Sequence, residues 1–179
     1  MIRNIFIVLL LTSSFANAQA ELTADKVAKI TNQVDRLAVK YKDSVSKKFG
    51  EKEMSLDTEF KTDLYRVEKI ADLKVAVDYS TAGMTAAMVD LNRDYDQLLN
   101  KYYGILLKKL KGEDQEKLKL AQRNWIKFRD SEILVITTVS KDQYSGGGTI
   151  QSNIMAGRIS DLTKERLFAI KGHLNQFVE

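Results

Sequence analysis

Residues 84–105 read MTAAMVDLNRDYDQLLNKYYGI. Met84, Met88, Leu91, Tyr95, Leu98, Tyr102 and Ile105 recur at steps of four and three. That spacing lines one face of an α-helix, whereas a strand would alternate its faces every second residue. Gly112 ends the pattern, and Lys108, Lys109 and Lys111 fall in the last turn, where cations favour the helix dipole.

The same rhythm extends both ways from this segment. Upstream, Val27, Ile30, Val34, Leu37, Tyr41, Val45 and Phe49 predict a helix closed by Gly50. Phe60, Leu64, Val67 and Ala71 predict another, capped by Ser55 or Asp57. Ser80 or Thr81 caps the central helix after a break at Asp78–Gly83. Downstream, Asp114 is positioned to cap a fourth helix carrying Leu118, Ala121, Trp125, Phe128, Glu132 and Val135. A final helix carries Met155, Ile159, Leu162, Ile170, Leu174 and Phe177. The chain has no proline, so nothing interrupts these helices from within. Short connections between long amphipathic helices make antiparallel neighbours, so the fold expected is an all-α antiparallel bundle of about five helices.

The N-terminus, MIRNIFIVLLLTSSFANAQA, combines Arg3, the apolar run Ile5–Leu11 and the small-residue signal Ala16-Asn17-Ala18. This is the pattern of a cleaved signal peptide, and the run is too short to span a bilayer of about 30 Å. Cleavage is expected after Ala18, with Ala20 as the alternative, leaving a periplasmic or secreted protein with no integral membrane span. Residues 19–74 then form an N-terminal helical extension and 75–179 the main helical domain. The chain has no cysteine, which excludes disulfides, thiolate chemistry and cysteine metal sites. Losing Arg3 with the leader takes the net charge from +4 to +3, too mild to argue for nucleic acid.

Little in the chain carries chemistry. His173 is the sole histidine, and one imidazole makes neither a metal site nor a triad. Gly146-Gly147-Gly148-Thr149 lacks the lysine and the preceding strand of a phosphate loop. No catalytic residue, metal site or cofactor is expected. The polar residues beside the seams remain. Asp96, Asn100 and Tyr103 share one stripe of the third helix, and Gln122, Arg123, Arg129 and Asp130 surround Trp125, the only tryptophan, on the fourth. Facing each other, these flanks would pair Arg129 with Asp96 and satisfy Asn100. Such a network fixes how helices dock more than it stabilises them. Removing Arg129 is expected to cost about 3–5 kcal/mol if Asp96 is buried. A binding site is the competing reading.

The one conspicuous loop is SKDQYSGGGT, Ser140–Thr149. Loops on rigid scaffolds concentrate binding residues. Asp142, Gln143, Tyr144, Ser145, Gly147 and Gly148 are therefore the candidate partner-binding residues, unless the glycines only turn the chain.

Several motifs follow one another in order: Ser80-Thr81-x-x-Met84, Asp96-x-x-Leu99-Asn100-x-x-Tyr103, Ala121-Gln122-Arg123-x-Trp125-Ile126-x-Phe128-Arg129-Asp130, Gly147-Gly148-Thr149 and Leu162-Thr163-x-x-Arg166. Together they resemble the LprI-like lysozyme-inhibitor family over about Val75 to Phe177. The resemblance implies a small exported helical protein that binds a partner and is not an enzyme, and it adds Arg166 to the polar network. The implied partner is lysozyme or another peptidoglycan hydrolase. The alternative is a structural, envelope-associated helical protein with no enzyme target. In one respect this chain departs from the family, which usually carries four cysteines. Here Ala87 and Ile133 stand where two are expected, and the others would fall near Val75 and Arg158. Two absent disulfides are worth about 2–5 kcal/mol each in small secreted domains, so the apolar core has to supply that stability.

Overall fold

The computed structural model describes residues 21–49 and 55–177. Within them lie six helices and no strand: α1 (Ala24–Phe49), α2 (Leu56–Val77), α3 (Thr81–Lys109), α4 (Glu113–Val139), the single turn α5 (Asp142–Ser145) and α6 (Ile150–Leu174). The expected all-α bundle is the observed one, with α5 an added turn inside the loop. The leader and Gly50 lie outside the described residues.

The caps resolve the alternatives. Ser55 begins α2, its Oγ accepting from the Thr58 amide at 3.1 Å. Ser80 begins α3, accepting from the Gly83 amide at 2.9 Å while its own N–H and hydroxyl donate to Asp78. The turn between α2 and α3 is so tight that a Cβ on Gly83 would lie 2.5 Å from the Asp78 carbonyl oxygen. Only glycine fits there. Asp114 does not cap α4. Gly112 takes that position at φ +54°, and Asp114 sits in the first turn bonded to Lys117. Gln115 reaches back to donate to the Leu107 and Leu110 carbonyls, satisfying the end of α3.

The helices pack in a chain of pairs: α1 on α2, α2 on α3, and α3 on α6, the most intimate pair. Their main core joins Phe60 and Val67 of α2, Tyr95, Leu99, Tyr102 and Leu106 of α3, Leu118 of α4, and Leu167, Ile170 and Leu174 of α6. A smaller cluster joins Ile30 and Val34 of α1 to Ile70. The most deeply buried stripe of α3 is thus rotated from the expected one, through Ala87, Tyr95, Leu99 and Tyr102. Flanked by α2 and α6, α3 buries a wide face, and Met84, Met88, Leu91 and Leu98 take its half-buried edge. On α6 likewise, Ala156, Ser160 and Thr163 are buried where Met155, Ile159 and Leu162 are only partly so.

Polar ties pin α2 to this core. Tyr102 donates its hydroxyl to Asp63 and Tyr95 to Glu68, each at 2.8 Å, and Lys164 of α6 reaches the same Glu68 at 2.8 Å. Burial pushes both phenols well above their usual range, and the hydrogen-bonded carboxylates push them further. Lys74 and Lys171 are buried lysines, paired with Asp90 at 2.7 Å and Asp57 at 3.1 Å.

Ser160 is buried at 3% exposure and its hydroxyl has no hydrogen-bond partner among the described residues. An unpaired buried hydroxyl costs about 1–3 kcal/mol, so Ser160→Ala should raise stability by about 1 kcal/mol. A lower urea midpoint for the variant would show that the hydroxyl is satisfied.

Candidate functional site

Helix α4 is the least embedded of the long helices. It touches the bundle mainly through α6, and only Leu118 and Ile136 are fully buried. Trp125 is half-buried, while Ala121, Phe128 and Val135, expected on the core stripe, are exposed. The helix carries more apolar residues than one neighbour can cover. The run Ile133-Leu134-Val135-Ile136 puts aliphatic groups on every side of it.

The loop after α4 is an ordered structure. The Asp142–Ser145 turn is closed by the Gly146 amide donating to the Asp142 carbonyl at 3.0 Å. Gly146, Gly147 and Gly148 then stand at φ +78°, +77° and +94°, conformations that only glycine adopts in sequence without strain. Ser145 is occupied in holding the turn, its hydroxyl bonded to the carbonyls of Ser140 and Lys141. Asp142, Gln143 and Tyr144 are exposed, Tyr144 at 64%. Gly147 tucks over the Asp142 side chain. Gly148 helps line a surface cleft of about 490 Å³ with Ser80, Thr81 and Thr149. The Ser80-Thr81 and Gly147-Gly148-Thr149 motifs, far apart in sequence, therefore meet at one end of the bundle. Leu134, Val135 and Val139 at the end of α4, and Ile150 and Ile154 at the start of α6, the two helices that the loop joins, are all exposed. That apolar border has only one sequence signal, the excess of aliphatic residues on α4.

Only part of the expected polar set is brought together. The Arg129 and Arg166 guanidiniums lie 5.3 and 5.9 Å from the Trp125 ring. Arg166 donates to Gln122 at 3.0 Å, and Asn100 to Asp96 at 3.1 Å. Burial pushes the Arg166 guanidinium below its usual value, an effect that nearby Tyr103 opposes. Arg129 bonds its own neighbour Asp130 at 2.9 Å and stands 4.0 Å from Asp96. Asp96 keeps 46% of its side chain exposed, so removing Arg129 strands no buried charge and the expected 3–5 kcal/mol loses its basis. Arg123 is exposed and stands apart from this contact set. Between α3, α4 and α6 the network borders a groove of about 350 Å³.

Among the described residues no group of three or more histidine, cysteine or acidic side chains is placed to hold a metal ion, and no helix is long and apolar enough to cross a membrane. His173 is exposed in the last turn of α6.

The family model for the lysozyme inhibitor LprI matches residues 74–169, more than half of the chain. The chain belongs to the LprI lysozyme-inhibitor family. No curated protein and no solved structure matches it. The LprI match spans α3, α4, the glycine loop and most of α6, so the loop and the groove both lie within it. Helix α1 and nearly all of α2 precede it, although α2 supplies Phe60 and Val67 to the same core. Of the residues at or near which the resemblance implies cysteines, Val75 and Arg158 line one surface cleft, Ala87 is buried, and Ile133 borders the groove.

Proposed function

We propose that this protein is an exported LprI-family inhibitor that binds a peptidoglycan-cleaving enzyme through the loop Ser140–Thr149 and the apolar side chains around it. The observation that carries this reading is that aliphatic residues on both helices joined by the loop are exposed, as is Tyr144 within it. Large apolar side chains left exposed on a small protein mark an interaction face, and a turn held by its own hydrogen bonds loses little entropy on binding. Family membership supports a lysozyme-like enzyme as the kind of partner. The proposed route outward is the leader, residues 1–18, removed after Ala18.

Affinity must come from local contacts. Lysozymes are commonly cationic and this chain is itself basic, so long-range attraction is absent. Tyr144 offers a flat amphipathic ring, Asp142 a carboxylate, and Gln143 an amide. Gly147 and Gly148 let the partner approach the backbone.

The test is the rate of peptidoglycan breakdown by lysozyme with and without the purified protein. A saturable loss of activity is expected. Tyr144→Ala and Asp142→Ala should each weaken inhibition by about 2 kcal/mol, roughly thirtyfold, with unchanged melting temperatures because both side chains are exposed. Lack of inhibition by the wild type would leave a structural, envelope-associated role. Equal inhibition by the double variant would return the loop to the role of a connector.

A further inference from the structure

We infer that the groove between α3, α4 and α6 is a second site, separate from the loop surface, that binds the carboxylate group of a small organic ligand such as an acidic sugar or the end of a short peptide. The argument starts from the hydrogen-bonding groups around it. Asn92 accepts at Oδ1 from the hydroxyl of Thr163, which is 2% exposed, at 2.7 Å. This fixes the amide and leaves its NH₂ group without a partner among the described residues. Asp130 occupies Nε and Nη2 of Arg129. The remaining nitrogen, Nη1, has only Asp96 at 4.0 Å, too far for a hydrogen bond. Arg93, which also lines the groove, binds Asp90 through Nη2 and is otherwise largely exposed. The lining therefore has donors to spare.

Its one carboxylate, Asp96, already accepts from Asn100 through Oδ2. Unused amide and guanidinium donors call for a group that only accepts, and a charged acceptor such as a carboxylate makes the stronger, charge-assisted bond. Ile133 and Ile159 supply an apolar wall for the carbon skeleton of such a ligand. Both that wall and the charge of Asp96 disfavour a hydrated, multiply charged ion such as phosphate. Arg129 is already oriented, with its guanidinium over Trp125 and one edge held by Asp130. A volume of about 350 Å³ suits a monosaccharide or dipeptide.

Trp125 is the only tryptophan, and its ring lies 5.3 Å from the guanidinium of Arg129, which lines the groove, so its fluorescence and indole N–H resonance report on changes at Arg129. The purified protein is titrated with N-acetylmuramic acid and with alanyl-alanine, and in parallel with uncharged N-acetylglucosamine, alanyl-alanine amide and inorganic phosphate. Saturable Trp125 shifts are expected with at least one of the two carboxylates, and whichever binds names the source. The uncharged counterpart should bind about tenfold more weakly, as expected for loss of a charge-assisted pair. Arg129→Gln should weaken binding by a similar factor. So should Asn92→Asp, which still accepts from Thr163 but replaces the free donor with a repelling charge. A Tyr144→Ala, Asp142→Ala double variant should bind as wild type does, which separates this site from the inhibitory face. The inference is overturned if neither carboxylate shifts Trp125, if neutral analogues or phosphate bind as tightly, or if folded Asn92→Asp and Arg129→Gln proteins bind unchanged.

Discussion

Replacing Tyr102 by alanine is expected to destabilise the protein by about 3–5 kcal/mol, the scale of deleting a large buried aromatic side chain. Tyr102 is 0% exposed and meets the edge of Phe60 at 4.9 Å between ring centroids. Its hydroxyl donates to Asp63 at 2.8 Å, so the side chain joins α3 to α2 both by packing and by a hydrogen bond. A domain of this size is typically stable by about 5–15 kcal/mol in total, so the variant should stand close to unfolding at physiological temperature. Tyr102→Phe keeps the ring, and Lys101 still pairs with Asp63, so its cost should be about 1 kcal/mol. Urea midpoints of the two variants separate packing from hydrogen bonding. A loss below 1 kcal/mol for alanine would mean that α2 is not fastened where the structure has it.

Asp57→Ala should cost about 3 kcal/mol at neutral pH, and most of that cost should vanish in acid. The cost arises on α6, where Lys171 is 6% exposed and the variant would leave its ammonium group with Asn175 but without a carboxylate. Stranding a buried charge costs several kcal/mol, reduced here because Asn175 still accepts from it. The pH dependence has a definite sign. Burial alone would raise the Asp57 pKa, but the hydrogen bonds and charges of Lys61 and Lys171 outweigh it and hold the carboxyl below its ordinary value of 3.8. A carboxyl depressed on folding stabilises the native state above its unfolded pKa, and that contribution disappears as pH falls through the folded value. Asp90, held down by Lys74 and Arg93 against the same effect of burial, behaves alike. Asp94 has the opposite sign. Burial lifts its pKa above 3.8, so the native state gains from protonating it first. The wild type should therefore lose stability below about pH 4, while Asp57→Ala changes less over the same range. Unfolding midpoints at neutral pH and near pH 3 test this, and an equal deficit at both would refute the linkage.

The helices were legible because apolar residues at steps of three and four, with no proline, leave few other structures open. The direction each helix faces was less legible. Periodicity locates an apolar stripe but not the number of neighbours that will cover it. On α3 two neighbours bury a wide face and move the deepest position from Leu98 to Leu99. On α4 too few neighbours leave Phe128 and Val135 in solvent. Buried Lys74 and Lys171 could not be anticipated, since each depends on an acid from a different helix. In the candidate site, the motifs supplied Asp96 and Arg129 of the groove but gave no sign of Asn92 or Arg93, which line it as well. They could not show that Arg129 turns to its neighbour Asp130 rather than closing on Asp96. Nor could they show that Ser145 is used up in holding its own turn.

The light attachment of α4 also bears on how the molecule breathes. Where few buried contacts hold an element, its opening costs far less than global unfolding, and water reaches its amide hydrogens by that cheaper route. The α3–α6 pair, with Leu99, Tyr102, Leu167 and Ile170 locked in the core, opens only when the whole domain does. Hydrogen exchange should consequently be slow along those two helices and fast along α4. A partner seated on the apolar border of the loop would close off the fast exchange, and the order it imposes on α4 would subtract from the affinity its contacts provide.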